Sequence, residues 1–132
     1  MANWKRVLMV FIVSAFVHQS WAVIACPVTL VDGKADRDGV TLSFRNTGKL
    51  PIQGLELNCA LTSSQGVHRT TCHNETGLFF PGTDYTSSFA YRNHAGSIEV
   101  SVKTAKLSDG STWMFNRDQR CRPLRINPKR KP

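Results

Sequence analysis

The feature that most constrains the fold is a two-residue alternation of apolar and polar side chains over residues 55–62. Leu55, Leu57, Cys59 and Leu61 occupy one phase, and polar or small residues occupy the other. Side chains of a β-strand point alternately to the two faces of a sheet, whereas a helix repeats every 3.6 residues. The pattern therefore predicts a half-buried strand with the Cys59 side chain facing the core.

A turn signal at residues 64–67 follows this strand and sets two cysteines opposite each other. In a hairpin with a two-residue loop at Gln65-Gly66, the residue opposite Cys59 is Cys72. Directly opposed positions of an antiparallel pair lie within disulfide range. We therefore predict a Cys59–Cys72 disulfide.

The two remaining cysteines, Cys26 and Cys121, then form the second bridge. It closes a loop of about 95 residues and stabilises the fold by roughly 4 kcal/mol in the chain-entropy model. Two other connectivities of four cysteines stay open. Two disulfides are typical of proteins in an oxidising compartment.

The N-terminus has the layout of a secretory signal peptide. Lys5 belongs to a short positive region, and an apolar run over residues 7–17 follows it. This run is too short to span a bilayer, and small residues precede a cleavage position after Ala22. We predict a signal peptide over residues 1–22 and a secreted or periplasmic mature chain that begins at Val23.

A second interpretation concerns Cys26. Residues 23–26 also resemble the lipobox of bacterial lipoproteins, in which the cysteine carries a lipid that anchors the protein to the envelope. Lipidation of Cys26 would leave an odd number of cysteines for pairing. Parity therefore favours the disulfide over the lipid anchor.

The mature region contains further short alternating runs separated by turn residues rich in Gly, Asn and Pro. They predict seven or eight short strands over residues 23–115, and hence an all-β fold built as an antiparallel two-sheet sandwich. A small barrel is the alternative. The inward positions are Val40, Leu42 and Phe44; Tyr85, Ser87, Phe89 and Tyr91; and Ile98, Val100 and Val102.

Two details concern the last strands. The apolar phase shifts between Val102 and Ala105, which predicts a β-bulge or a bend. Asp109-Gly110 is a strong turn dipeptide, and it precedes a last core strand in which Trp113 and Phe115 face inward.

Two stretches resemble small immunoglobulin-like sandwich modules of exported bacterial proteins. The stretch over residues 40–61, with Asn46-Thr47-Gly48 between two strands, is similar to their first hairpin. The stretch over residues 107–113 is similar to their late hairpin. The resemblance implies an immunoglobulin-like fold and an envelope setting, and it carries no catalytic residues.

The positive charge is concentrated at the C-terminus. Residues 23–115 carry eight Lys and Arg and eight Asp and Glu, whereas residues 116–132 carry seven cations and one acid. We interpret residues 116–132 as a basic tail, partly ordered by the Cys121 disulfide, that contacts anions. Its cations are Arg117, Arg120, Arg122, Arg125, Lys129, Arg130 and Lys131.

The expected partner of this tail is an anionic polymer or the headgroups of a membrane, and no specific nucleic-acid recognition is predicted. Three prolines discourage a helix, which favours an extended strip. Leu124 and Ile126 offer another arrangement, because their spacing would add an edge strand to the sandwich and fix the cations on its rim.

No motif for catalysis or for a metal is found. His68, His73 and His94 stand outside any recognisable signature and are expected at the surface, with no catalytic residue, metal or cofactor. The sequence therefore favours a non-catalytic exported binding or structural module of the cell envelope or secretome. The alternative is a small secreted hydrolase or enzyme inhibitor without a recognisable motif.

Overall fold

Eight β-strands make up the regular structure of the residues that the structure describes. The computed structural model describes residues 25–63, 66–92, 97–117 and 120–127, so the predicted signal peptide and the last five residues lie outside the described residues. The strands are β1 (Val28–Ala35), β2 (Gly39–Asn46), β3 (Ile52–Ser63), β4 (Gly66–Phe79), β5 (Asp84–Ala90), β6 (Ile98–Leu107), β7 (Thr112–Met114) and β8 (Leu124–Ile126).

The strands form two antiparallel sheets. The small sheet has the order β1-β2-β5, and the large sheet has the order β4-β3-β6-β7. β8 pairs with β6 at Ile98 to Val100, while β7 pairs with β6 farther along, so the two short strands share one edge of β6. The prediction of an all-β chain with two antiparallel sheets is confirmed, and the architecture is that of a sandwich.

The core lies between the two sheets and follows the alternation of the sequence. In β2, Val40, Leu42 and Phe44 are buried while their neighbours face outward. Leu55 and Leu57 of β3 are buried in the same way. Apolar area removed from water in this manner is the main favourable contribution to folding, at about 25 cal/mol per Å².

The link between β2 and β3 differs from the expected first hairpin. The two strands belong to different sheets, so the chain crosses from one sheet to the other between Asn46 and Ile52. Asn46 is fully buried, and its amide donates to the carbonyls of Leu50 and Phe79 at 2.8 and 2.9 Å. The chain does turn after β2, as the sequence indicated. The turn joins two sheets, and the buried Asn46 amide stabilises it.

The β3–β4 hairpin forms with a register different from the predicted one. Ser63 pairs with Gly66, and Cys59 lies opposite Thr70 rather than Cys72. A β-bulge beside Leu57 places an extra residue in β4, which is Cys72. The Cys59–Cys72 disulfide is confirmed, with 5.6 Å between the Cα atoms, because the bulge brings a diagonal neighbour within reach.

The prediction for β6 and β7 is partly correct. β6 has its register shift at Lys103, as the change of apolar phase indicated, and Trp113 is buried in β7. Phe115 is not a core residue. The strand ends at Met114, and Phe115 remains 48% exposed while its N–H donates to the Lys103 carbonyl at 3.0 Å.

The C-terminal region is attached to the sandwich. The Cys26–Cys121 disulfide is confirmed, with 5.2 Å between the Cα atoms. The predicted edge strand is present as β8, and Ile126 packs so closely on β1 that a Cβ added to Gly33 would lie 2.6 Å from its Cδ1 atom. The absence of a side chain at position 33 leaves room for Ile126 and Leu124 of β8 against β1. No helix long and apolar enough to cross a membrane occurs in the described ranges.

Candidate functional site

Four arginines of the C-terminal region are exposed on the surface of the sandwich. We call Arg117, Arg120, Arg122 and Arg125 the basic rim. Cys121 lies between the second and third of them and is fixed to Cys26, while the fourth belongs to β8. Arg117 follows β7 and Arg125 belongs to β8, and both strands pair with the same edge of β6. Lys129, Arg130 and Lys131 lie outside the described residues.

The position of Arg125 follows from the alternation of β8. Its neighbours along the chain, Leu124 and Ile126, turn toward β1, so Arg125 points to the outer face of the large sheet. There it pairs across the ladder with Glu99 of β6. Glu99 therefore lies opposite Arg125, whereas Arg120 lies near Phe115 at the end of β7.

The basic rim reaches an apolar pair at the end of β7. The Arg120 guanidinium lies 5.8 Å from the centre of the Phe115 ring, within the range of a cation–π contact. Met114, the preceding residue, is 65% exposed. The site therefore combines cations with two uncovered large apolar side chains.

Two lysines of β6 lie on the same side. Lys106 pairs with Thr112, two residues before Met114, and Lys103 lies at the register shift of β6. The Lys103 ammonium lies 2.9 Å from a carboxylate oxygen of Glu56. Lys106 thus adds an exposed cation beside the apolar pair, while the charge of Lys103 is partly balanced.

A second polar group lies where the edges of the two sheets meet, and we call it the inter-sheet cluster. It consists of His73 and Glu75 of β4 and Ser87 of β5. The Ser87 hydroxyl donates to Glu75 at 2.5 Å, and the His73 Nε2 atom lies 2.5 Å from the same carboxylate and 3.1 Å from the hydroxyl. The His73 ring stacks on Phe89, with 4.5 Å between centroids. These contacts connect two strands from different sheets.

The geometry of the inter-sheet cluster is that of a clamp. In a hydrolytic triad the acid holds one ring nitrogen of the histidine while the serine bonds the other. Here Glu75 and Ser87 both contact Nε2, and Ser87 is buried. Burial alone raises the pKa of Glu75, but hydrogen bonds from Ser87 and His73, together with the charge of His73, outweigh it and lower the pKa. The carboxylate is thus held ionised between the sheets.

The histidines do not all behave as the sequence suggests. His68 is exposed, as expected, while His94 lies outside the described residues. The expectation of a surface position is wrong for His73, whose side chain is 20% exposed and engaged in the inter-sheet cluster. Across the part of the chain that the structure describes, no three His, Cys, Asp or Glu side chains gather as a set of metal ligands.

A separate cleft of about 350 Å³ opens beside the long disulfide. Much of its lining is apolar, and it adjoins the turn between β6 and β7. Hydrogen bonds from the Ser111 side chain and backbone lower the pKa of Asp109 at this turn. None of the four arginines of the basic rim borders the cleft. Its lining comprises Ala25, Cys26, Pro27, Thr47, Gly48, Lys49, Leu50, Leu107, Asp109 and Ser111.

Comparison with known proteins gives likeness in structure alone. No known protein family matches the chain, and no curated protein matches it either. A Bordetella pertussis protein described as ApaA is 17% identical over 79% of this chain and 90% of its own, with a TM-score of 0.42. A structural-genomics target is 13% identical over 76% and 81% of the two chains, with a TM-score of 0.46. A β-glucosidase from Kluyveromyces marxianus is 17% identical over 77% of this chain and 15% of its own, with a TM-score of 0.42. Each likeness extends to a β-rich fold and no further.

Sequence reasoning found the arginines but missed their surroundings. Met114 and Phe115 were missed because alternation placed Phe115 in the core. The inter-sheet cluster was missed because His73 and Ser87 come from strands of different sheets, and their contact depends on how the sheets are stacked. A signal for it existed in Ser87, which is the one small polar residue on the inward face of β5, between the aromatic residues Tyr85 and Phe89.

Proposed function

We propose that this chain is an exported, non-catalytic binding or structural module with an immunoglobulin-like sandwich, and that it contacts anionic surfaces through the basic rim. The observation that supports this most directly is the attachment of the rim. The Cys26–Cys121 disulfide and the pairing of β8 with β6 attach the segment that carries these exposed arginines to the sandwich. Cations held in place lose less conformational entropy on binding than cations on a free tail.

The disulfides support the export component of the proposal. Both bridges indicate a non-reducing, extracytoplasmic environment. The sulfur of Cys26 is bonded to Cys121 and cannot also carry a lipid. A diffusing secreted or periplasmic protein is therefore favoured over a lipid-anchored one.

The test is retention on heparin and on anionic vesicles over a series of salt concentrations. The protein is the full chain, exported by the host and oxidised, so that its processing and disulfides are native. The tested variant changes four arginines to glutamine: Arg117→Gln, Arg120→Gln, Arg122→Gln and Arg125→Gln. We expect elution from heparin at lower salt and a shallower salt dependence, by roughly one unit of slope for each arginine that binds an anionic group in the unchanged protein.

The matched control removes the same charge elsewhere on the sandwich. It changes four other exposed cations to glutamine: Lys34→Gln, Arg37→Gln, Lys49→Gln and Arg92→Gln. We expect this variant to elute close to the unchanged protein. Equal weakening by both variants would assign binding to net charge alone and would remove the rim from the proposal.

A further inference from the structure

We propose that Met114, Phe115 and the cations around them form a docking site for a membrane surface rich in anionic lipid. This inference rests on the proposed function, because it names the anionic surface that the basic rim approaches. The basic rim was defined by its charges alone. This inference adds Met114, the last residue of β7, and Phe115, which follows it.

Met114 and Phe115 are consecutive apolar residues that are 65% and 48% exposed. Exposed apolar side chains are common on soluble proteins, so it is the charge around these two that makes the position informative. Met114 is the last residue of β7, a strand at the border of the large sheet, and Phe115 follows it.

Cations lie close to this pair. Arg120 lies over the Phe115 ring, Arg117 comes two residues after Phe115 in the sequence, and Lys106 lies on the outer face beside β7. Two acids accompany them: the Glu56 carboxylate, which lies 2.9 Å from the Lys103 ammonium, and Asp118, which stands outside the described residues. The cations therefore outnumber the acids around the two apolar side chains.

Cations next to exposed apolar side chains fit a membrane surface better than a soluble polyanion. A soluble polyanion gains affinity from cations through counterion release and offers no apolar region for Met114 and Phe115. A bilayer surface offers anionic headgroups and, directly beneath them, the acyl boundary in which apolar side chains insert. The arginines of the site can bind the headgroups, while Met114 and Phe115 can insert into the acyl boundary.

The experiment measures sedimentation of the full exported chain with vesicles. The vesicles are phosphatidylglycerol mixed with phosphatidylcholine, or phosphatidylcholine alone, and heparin retention is measured in parallel. The variant is Met114→Ser with Phe115→Ser, and its matched control is Leu78→Ser with Phe80→Ser, a pair of similar exposure at the far end of β4. We expect the first variant to lose roughly tenfold in affinity for the mixed vesicles and to keep its heparin retention. We expect the control to bind like the unchanged protein.

Each other outcome decides between the two proposals. Unchanged vesicle binding of the Met114/Phe115 variant, or equal loss in the control, would overturn the membrane site while salt-dependent heparin retention leaves the proposed function in place. Absence of binding to both heparin and mixed vesicles by the unchanged protein would overturn both. The near-ultraviolet signal of Trp113, which is buried and directly precedes these two positions, reports whether the variant is folded. If the signal disappears, Met114→Gln alone is measured, with an expected loss of roughly threefold.

Discussion

At the scale of single residues, Asn46 has the most demanding position in the fold. Its side chain is fully buried, and its Nδ2 atom donates to the carbonyls of Leu50 and Phe79. Its Oδ1 atom accepts the Gly48 N–H at 2.9 Å, and its own carbonyl accepts the Gly82 N–H at 2.8 Å. One amide thus satisfies backbone groups in the segments that join the two sheets.

We predict that Asn46→Ala lowers the free energy of unfolding by about 2–3 kcal/mol. The substitution leaves two carbonyls and one N–H without their partner, and each unsatisfied buried group costs about 1–3 kcal/mol, part of which water recovers. Urea denaturation of the oxidised protein measures the change. Asn74→Ala, at an exposed position of β4, is the control and should cost less than about 0.5 kcal/mol. Similar losses at both positions would contradict the role assigned to the Asn46 amide.

The sequence predicted the facing of individual residues well, because facing depends only on the strand period. Val40, Leu42 and Phe44 are buried as alternation required. It failed where a residue leaves the period, as Phe115 does directly after β7. The four arginines were identified from the sequence, but the orientation of Arg125 depends on the packing of Ile126 against Gly33, which no local pattern encodes.

At the scale of elements, β8 is held by close packing on β1. A Cβ at position 33 would meet the Cδ1 atom of Ile126 at 2.6 Å and the Cδ2 atom of Leu124 at 3.2 Å. Both atoms are the ends of side chains, so a small residue at position 33 would displace them without moving the backbone far. The contact is therefore suited to a coupling measurement.

We predict that Gly33→Ala destabilises by about 1 kcal/mol and that Ile126→Val relieves this cost. Ile126→Val alone should destabilise by about 0.5–1.5 kcal/mol, because it removes a buried methylene. In the double variant the same deletion makes room for the new Cβ, so the combined loss should be smaller than the sum. Additive losses in urea denaturation would show that β8 does not rest on Gly33.

The inter-sheet cluster joins the open edges of β4 and β5, and it makes this contact dependent on pH. The pKa of Glu75 is lowered in the fold from the ordinary glutamate value of 4.5. A lowered pKa means that the ionised carboxylate stabilises the fold. That contribution is complete above the unfolded-state pKa and is lost as the pH falls through the lower pKa of the folded state.

We predict that Glu75→Gln costs about 1 kcal/mol at neutral pH and that the difference from the unchanged protein disappears in acid. Removal of the Ser87 hydroxyl should shift the acid loss to higher pH, because its hydrogen bond lowers the pKa of Glu75. Unfolding free energies of the unchanged protein, Glu75→Gln and Ser87→Ala, measured across a pH series, give both results. Parallel pH profiles for the unchanged protein and Glu75→Gln would contradict the assignment.

Pairing between elements was the least predictable part of the fold. Alternation fixes which face of a strand is buried, but it does not say which strand lies beside it. The segment over residues 40–61 therefore resembled a hairpin although its strands lie in different sheets. The β3–β4 hairpin was correct because its loop is short, yet the pairing begins at Ser63 and Gly66, one residue earlier in each strand than predicted. A bulge at Cys72, which no turn rule indicates, then shifts the register once more.

At the scale of the whole molecule, one disulfide constrains a single hairpin of the unfolded chain and the other constrains most of its length. Cys59–Cys72 closes a separation of 13 residues within one hairpin, and Cys26–Cys121 closes a separation of 95 residues. The second bridge joins the segment before β1 to the segment before β8. It thus constrains nearly all of the unfolded chain, whereas the first constrains one hairpin.

We predict that replacing Cys26 and Cys121 by alanine costs about 4 kcal/mol and that replacing Cys59 and Cys72 costs about 3 kcal/mol. The comparison is matched, because each pair contains one buried and one half-buried cysteine, so the cost of deleting the sulfur atoms is similar. The difference in unfolding free energy then reports loop length. Equal costs, or a larger cost for the short loop, would show that local packing around the hairpin outweighs chain entropy.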